Sequence, residues 1–138
     1  MPPFTVNYLA VVVAGVAAFM LGALWYSPAL FARQWVAAQG HTPEKVAAMR
    51  QQMTKTYAIS FVCFLVTAWV MAVLISRVGV TGALGGVKLG GITWLGFAAT
   101  IGLTSNLYSG KPLAAFLIDA GYQLVYLIVM AVILAVWR

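Results

Sequence analysis

A chain of 138 residues in which 64% are hydrophobic and only 7% charged does not read as an ordinary soluble domain; such domains carry about 25% charged residues, and a core of this size cannot hide the apolar excess. Eight Lys and Arg against Glu44 and Asp119 give a net charge of +6, which in a soluble protein would suggest nucleic acid. Here the bases sit at the ends of apolar runs, where they anchor helices at lipid head groups, so the expected partner is a lipid bilayer and no nucleic acid.

The charges are absent from long stretches. None precedes Arg33, none lies between Lys55 and Arg77 or between Lys88 and Lys111, and none falls from Ala120 to Trp137. Each gap holds the roughly 20 apolar residues that cross a hydrocarbon core of about 30 Å at about 1.5 Å per residue. Four gaps predict an all-α, membrane-spanning four-helix bundle in a single transmembrane domain over residues 1–138, with helices at about 7–26, 56–76, 88–107 and 113–137.

In chain order, Met1 to Tyr8 contains no Lys or Arg. The first apolar run ends in Trp25-Tyr26 instead of a small-residue cleavage site, so it reads as a retained helix and not a secretory signal. Asn7 opens this helix as a cap and Pro28 closes it. Phe31 and Trp35 flank Arg33, as in a segment lying in the interface. Thr42-Pro43-Glu44 combines an N-cap, a first-turn proline and a dipole-favoured acid. Val46, Met49 and Met53 follow at helical spacing, which predicts a short amphipathic helix between helices 1 and 2. Gly79, Gly82, Gly85 and Gly86 predict a tight turn region before helix 3, and Tyr108 to Pro112 a second turn. Short connections predict that helices 2 and 3, and helices 3 and 4, are antiparallel neighbours. Arg33, Lys45, Arg50, Lys55 and Lys111 on one side, against Arg77, Lys88 and Arg138 on the other, predict that the first group is cytoplasmic in a multi-pass protein, with both termini outside.

Between helices in lipid, close packing across small residues replaces the hydrophobic drive. Ala10, Ala14, Ala18 and Gly22 form such a stripe in helix 1. Ala68, Ala72 and Ser76 form another in helix 2, Gly82, Gly86 and Gly90 one near helix 3, and Ala131 and Ala135 one in helix 4. They serve packing within the bundle or between protomers.

Asp119 is the one acid in any apolar run, and an ionisable group in a membrane helix is by default a functional hypothesis. It lies near the start of helix 4, where the dipole favours an anion. The alternative is an interfacial aspartate paired with Arg33, Lys111 or Asn106. Tyr122, Gln123 and Tyr126 share its helical face. Ser105 and Asn106 at the end of helix 3, with Trp25, Tyr26 and Arg33, fall at the same membrane level. These nine residues predict a polar cluster in the half of the membrane nearest the helix 1–2 segment. His41 reads as solvated or capping and Cys63 as a small apolar residue. One histidine and one cysteine cannot make a metal site within one chain. No HExxH, phosphate loop or nucleophile turn is present, so no catalytic residue and no cofactor are expected.

Asn7-Tyr8-Leu9, then Gly22-Ala23-Leu24-Trp25-Tyr26-Ser27-Pro28, then Phe31 and Trp35, resembles a family of small bacterial four-helix membrane proteins catalogued only as a domain of unknown function. The resemblance implies an integral membrane protein of four-helix architecture and brings no activity or site residues; the expected location is the bacterial inner (cytoplasmic) membrane. Two functions are therefore expected from the residues alone. One is a small-solute or ion pathway, proton-coupled through Asp119. The other is a non-catalytic subunit or scaffold that docks on another membrane protein or on further copies of itself. An enzyme acting on lipid is a more distant third.

Overall fold

Two of the helices open on a side-chain cap, and three end at a left-handed glycine. The computed structural model describes residues 5–138. Asn7 accepts a hydrogen bond from the Ala10 N–H at 3.2 Å and opens α1 (Tyr8–Trp25). After Pro28 come two short helices, α2 (Ala32–Gln39) and α3 (Pro43–Gln51). Gly40, in the left-handed region at φ 69°, ends α2, and Thr42 caps α3 by accepting the Lys45 N–H at 3.2 Å. A break at Gln52 separates α3 from α4 (Met53–Val78), which stops at the left-handed Gly79. The third long rod is α5 (Gly82–Thr93), a π-helical stretch at Trp94–Ala99, and α6 (Thr100–Ser109). The last is α7 (Leu113–Val136).

The protein is thus all-helical, with four rods long and apolar enough to cross a membrane: Tyr8–Trp25, Met53–Val78, Gly82–Ser109 and Leu113–Val136. At about 1.5 Å per residue each reaches or approaches 30 Å. Their surfaces agree with lipid as solvent. In the most apolar window of the third rod only 17% of residues are buried in the chain, and even in α7 only 33%.

The segment between the first two rods holds two short helices where the sequence predicts one, because Arg33 to Gln39 closes a helix of its own before the Thr42 cap starts the next. The third rod begins at Gly82, six residues ahead of the expected start at 88. Turn propensity loses to packing here. A methyl group built on Gly86 would lie 2.7 Å from Val132 Cα, and one on Gly90 would lie 2.7 Å from Ile128 Cα. These glycines let the backbones of α5 and α7 touch, so they belong inside the helix.

α7 is the hub. It packs against α1, α4 and α5, and α1 and α4 also pack on each other. α1, α4 and α7 share one core, from Ala10, Ala14 and Ala18 through Met71 and Ile75 to Met130 and Leu134. The alanine stripe of α1 is therefore spent inside the chain. α5 and α7 are close neighbours, as their short connection predicts. α4 and α5 share a short connection yet no extensive contact; the third rod rests on α7. The reason is again the glycine face, which seats α5 on α7 and draws it away from α4.

Candidate functional site

One turn of α7, Ile118 to Ala120, is held by three side chains from two other parts of the chain. From the end of α1, the Trp25 indole N–H donates to the Ile118 carbonyl at 3.0 Å. From the π-helical stretch, the Trp94 indole N–H donates to the Ala120 carbonyl at 2.8 Å. Between these two carbonyls stands Asp119, whose Oδ1 accepts the Tyr26 hydroxyl at 2.5 Å. One turn further along, the Tyr122 hydroxyl donates to the Ala18 carbonyl at 2.6 Å. An indole N–H or phenol in an apolar surround needs an acceptor, and each of these four finds one on a neighbouring helix.

Glycines open the space for these contacts. A methyl group at Gly121 would stand 3.1 Å from the Trp25 ring, and one at Gly22 would stand 2.7 Å from the Tyr122 hydroxyl. Around the braced turn the rings form a continuous cluster. Trp25 meets Phe31 at 4.8 Å between centroids, Tyr26 meets Tyr122 at 5.4 Å, and Tyr122 meets Tyr126 at 4.8 Å. Phe64 of α4 closes on Tyr126 at 5.3 Å. Trp35 of α2 stands against Tyr26 at 5.9 Å and against His41 at 5.3 Å. The Trp35 indole N–H is buried with no acceptor.

Of the nine residues singled out in the sequence, five converge: Trp25, Tyr26, Asp119, Tyr122 and Tyr126. Gln123 is on the same stretch of α7 and half-buried. The other three lie apart. Arg33 is exposed, and the hydrogen bond to Asp119 comes from Tyr26, not from Arg33, Lys111 or Asn106. Asn106 closes its own turn by donating to the Lys111 carbonyl at 3.2 Å, and Ser105 is exposed, its carbonyl accepting the Ser109 hydroxyl at 2.8 Å. Lys111 turns the other way, donating to the Gln39 side chain at the end of α2.

Three further participants stand outside those nine. Trp94 sits in an apolar run and opens the π-helical stretch; such single π turns recur at functional positions. Trp35 and His41 reach the cluster because α2 folds back over the end of α1. Partial burial beside Trp35, then the positive charges of Lys45 and Lys111, lower the His41 pKa from its ordinary 6.5, so the ring is mostly neutral at pH 7.

A family model described as "Protein of unknown function (DUF1761)" matches residues 9–135. The chain belongs to the DUF1761 family. The match covers the braced turn and all the rings around it. No curated protein and no solved structure matches this DUF1761 chain.

Proposed function

We propose that the protein is a pathway for a small solute or ion across the membrane, coupled to protons through Asp119. The supporting observation is the 2.5 Å hydrogen bond from Tyr26 to Asp119 within a turn braced by Trp25 and Trp94. An acidic side chain in a membrane-spanning helix is rare, and such groups mark ion and proton paths. Three hydrogen bonds from two separate segments converge on this one helical turn.

The α2–α3 end then lies on the cytoplasmic side of a bacterial inner membrane, with both termini outside. The support is the count of five bases against three. The test is flux. Purified protein in vesicles with an internal pH-sensitive dye should dissipate an imposed pH gradient. Asp119→Asn, which keeps the shape and removes the ionisable group, should reduce the rate at least about tenfold. Equal rates in the two proteins overturn the reading.

A second reading, a scaffold or homo-oligomeric subunit, has one observation in its favour. The third rod packs mainly on α7 and leaves Ile92, Leu95, Phe97 and Ile101 exposed. The α1 alanines, by contrast, are occupied within the chain, so Ala14→Leu would report on folding and not on docking. Native mass spectrometry in mild detergent separates the readings: a stoichiometric second chain favours the scaffold, and a lone protomer opposes it.

A further inference from the structure

The end of the molecule that holds α2 and α3 carries uncompensated positive charge. Arg33 on α2, Lys45 and Arg50 on α3, Lys55 in the first turn of α4 and Lys111 just before α7 are all exposed. Only two acids exist to balance them. Asp119 is half-buried and bonded to Tyr26, which leaves Glu44 as the one exposed acid. Among the described residues, the side chains of Arg33, Lys45, Arg50 and Lys55 form no ion pair and no hydrogen bond. Lys111 donates to the neutral Gln39 side chain. Bases from separate elements gather here: the charges of Lys45 on α3 and Lys111 before α7 both act on His41.

The chain also fixes what this face meets. Neither α2 nor α3 contains a fully buried residue. Trp35 and Val36 of α2 and Val46 and Met49 of α3 are half-buried, whereas the bases point out. Basic and apolar sides divided in this way suit a segment at a membrane interface. Every one of the five bases lies within eight residues of a membrane-spanning rod, the farthest being Arg33 after Trp25 and Lys45 before Met53. Tethers this short keep the face at the membrane surface. Clusters of about four to eight Lys and Arg beside a membrane helix attract anionic lipids, and the guanidinium forks of Arg33 and Arg50 match phosphate oxygens. We infer that the α2–α3 face is a docking surface for the head groups of anionic phospholipids in the surrounding bilayer, with Arg33, Lys45, Arg50 and Lys55 as the contacting bases. The inference is independent of the Asp119 pathway and of which side is cytoplasmic.

The experiment titrates the purified full-length protein in a neutral detergent with phosphatidylglycerol or phosphatidylcholine of identical acyl chains, and reads bound lipid by native mass spectrometry. Identical chains cancel the apolar contribution, so the difference reports head-group charge. Phosphatidylglycerol should bind at least about tenfold more tightly. Lys45→Gln with Arg50→Gln should lower that preference at least about threefold and leave phosphatidylcholine binding as it was. Arg77→Gln with Lys88→Gln, at the other end of the rods, should keep the preference. Equal affinity for the two lipids in the unmodified protein overturns the inference without recourse to any variant. An undiminished preference in the first pair, or an equal fall in both pairs, also overturns it. Displacement of phosphatidylglycerol by inorganic phosphate at the same concentration overturns the lipid assignment in favour of a free-anion site, and a stoichiometric acidic protein chain that the lipid cannot displace overturns it in favour of a protein partner.

Discussion

The Tyr26 hydroxyl and the Asp119 carboxylate join the end of one membrane helix to the start of another, and the bond has a measurable worth. Hydrogen bonds between membrane helices contribute about 0.6–2 kcal/mol, with bonds to charged groups at the upper end. Tyr26→Phe keeps the ring and removes the donor. It should lower stability by about 1–2 kcal/mol in a detergent unfolding titration, and no loss would mean the bond is not formed. His41 gives a second residue-level expectation. Its folded-state pKa lies below 6.5, so the folded chain holds this proton less tightly than the unfolded chain. The contribution is fully present above 6.5 and is lost as pH falls through the folded pKa. An NMR titration of the ring should give a midpoint below 6.5, and Lys45→Gln should raise it. A midpoint at or above 6.5 contradicts the assignment. At this scale the sequence revealed Asp119 and its tyrosines through their polarity in an apolar run. It could not reveal Trp94, whose role depends on how the third rod seats against α7, nor the choice of Tyr26 over Arg33 as partner, which depends on how α1 ends.

Helices meet here through what they lack. Gly86 and Gly90 bring α5 against the backbone of α7, and adding a methyl at Gly86 forces atoms to within 2.7 Å of Val132 Cα. Overpacking of this kind costs about 1–3 kcal/mol. Gly86→Ala should therefore destabilise the protein by that amount. Gly91 has open space where a side chain would go, and Gly91→Ala should be neutral or stabilise by up to about 1 kcal/mol through helix propensity. Paired thermal-melting measurements check both, and equal effects at the two positions would argue against the close contact. The four apolar rods were legible because uncharged runs of membrane length seldom arise in a chain surrounded by water. The start of the third rod was not, because glycine reads as a turn former until the neighbour that requires it is known. The splitting of α2 from α3 was hidden for a related reason: Gly40 ends a helix through its left-handed backbone, and α2 is only eight residues long.

Across the whole molecule, one hub helix gathers three others and leaves most apolar side chains facing outward. Phe97 is 72% exposed and Ile92 68%, and no water-soluble fold of this size tolerates many such residues. Lipid is therefore the medium these surfaces require. Family membership supports no activity, so the Asp119 turn and the basic α2–α3 face carry the proposals, and both presuppose that medium. The native Cys63 is the only cysteine and lies exposed on α4, within the membrane-spanning rod. A nitroxide label attached there, in protein reconstituted into vesicles, reports directly on its solvent. A lipid-facing α4 predicts frequent collisions with dissolved oxygen, which concentrates in lipid, and few with a water-soluble nickel chelate. The reference is a label at the exposed position of Glu44, introduced by Glu44→Cys with Cys63→Ser. Nickel collisions at Cys63 as frequent as at that reference would contradict a membrane-spanning α4.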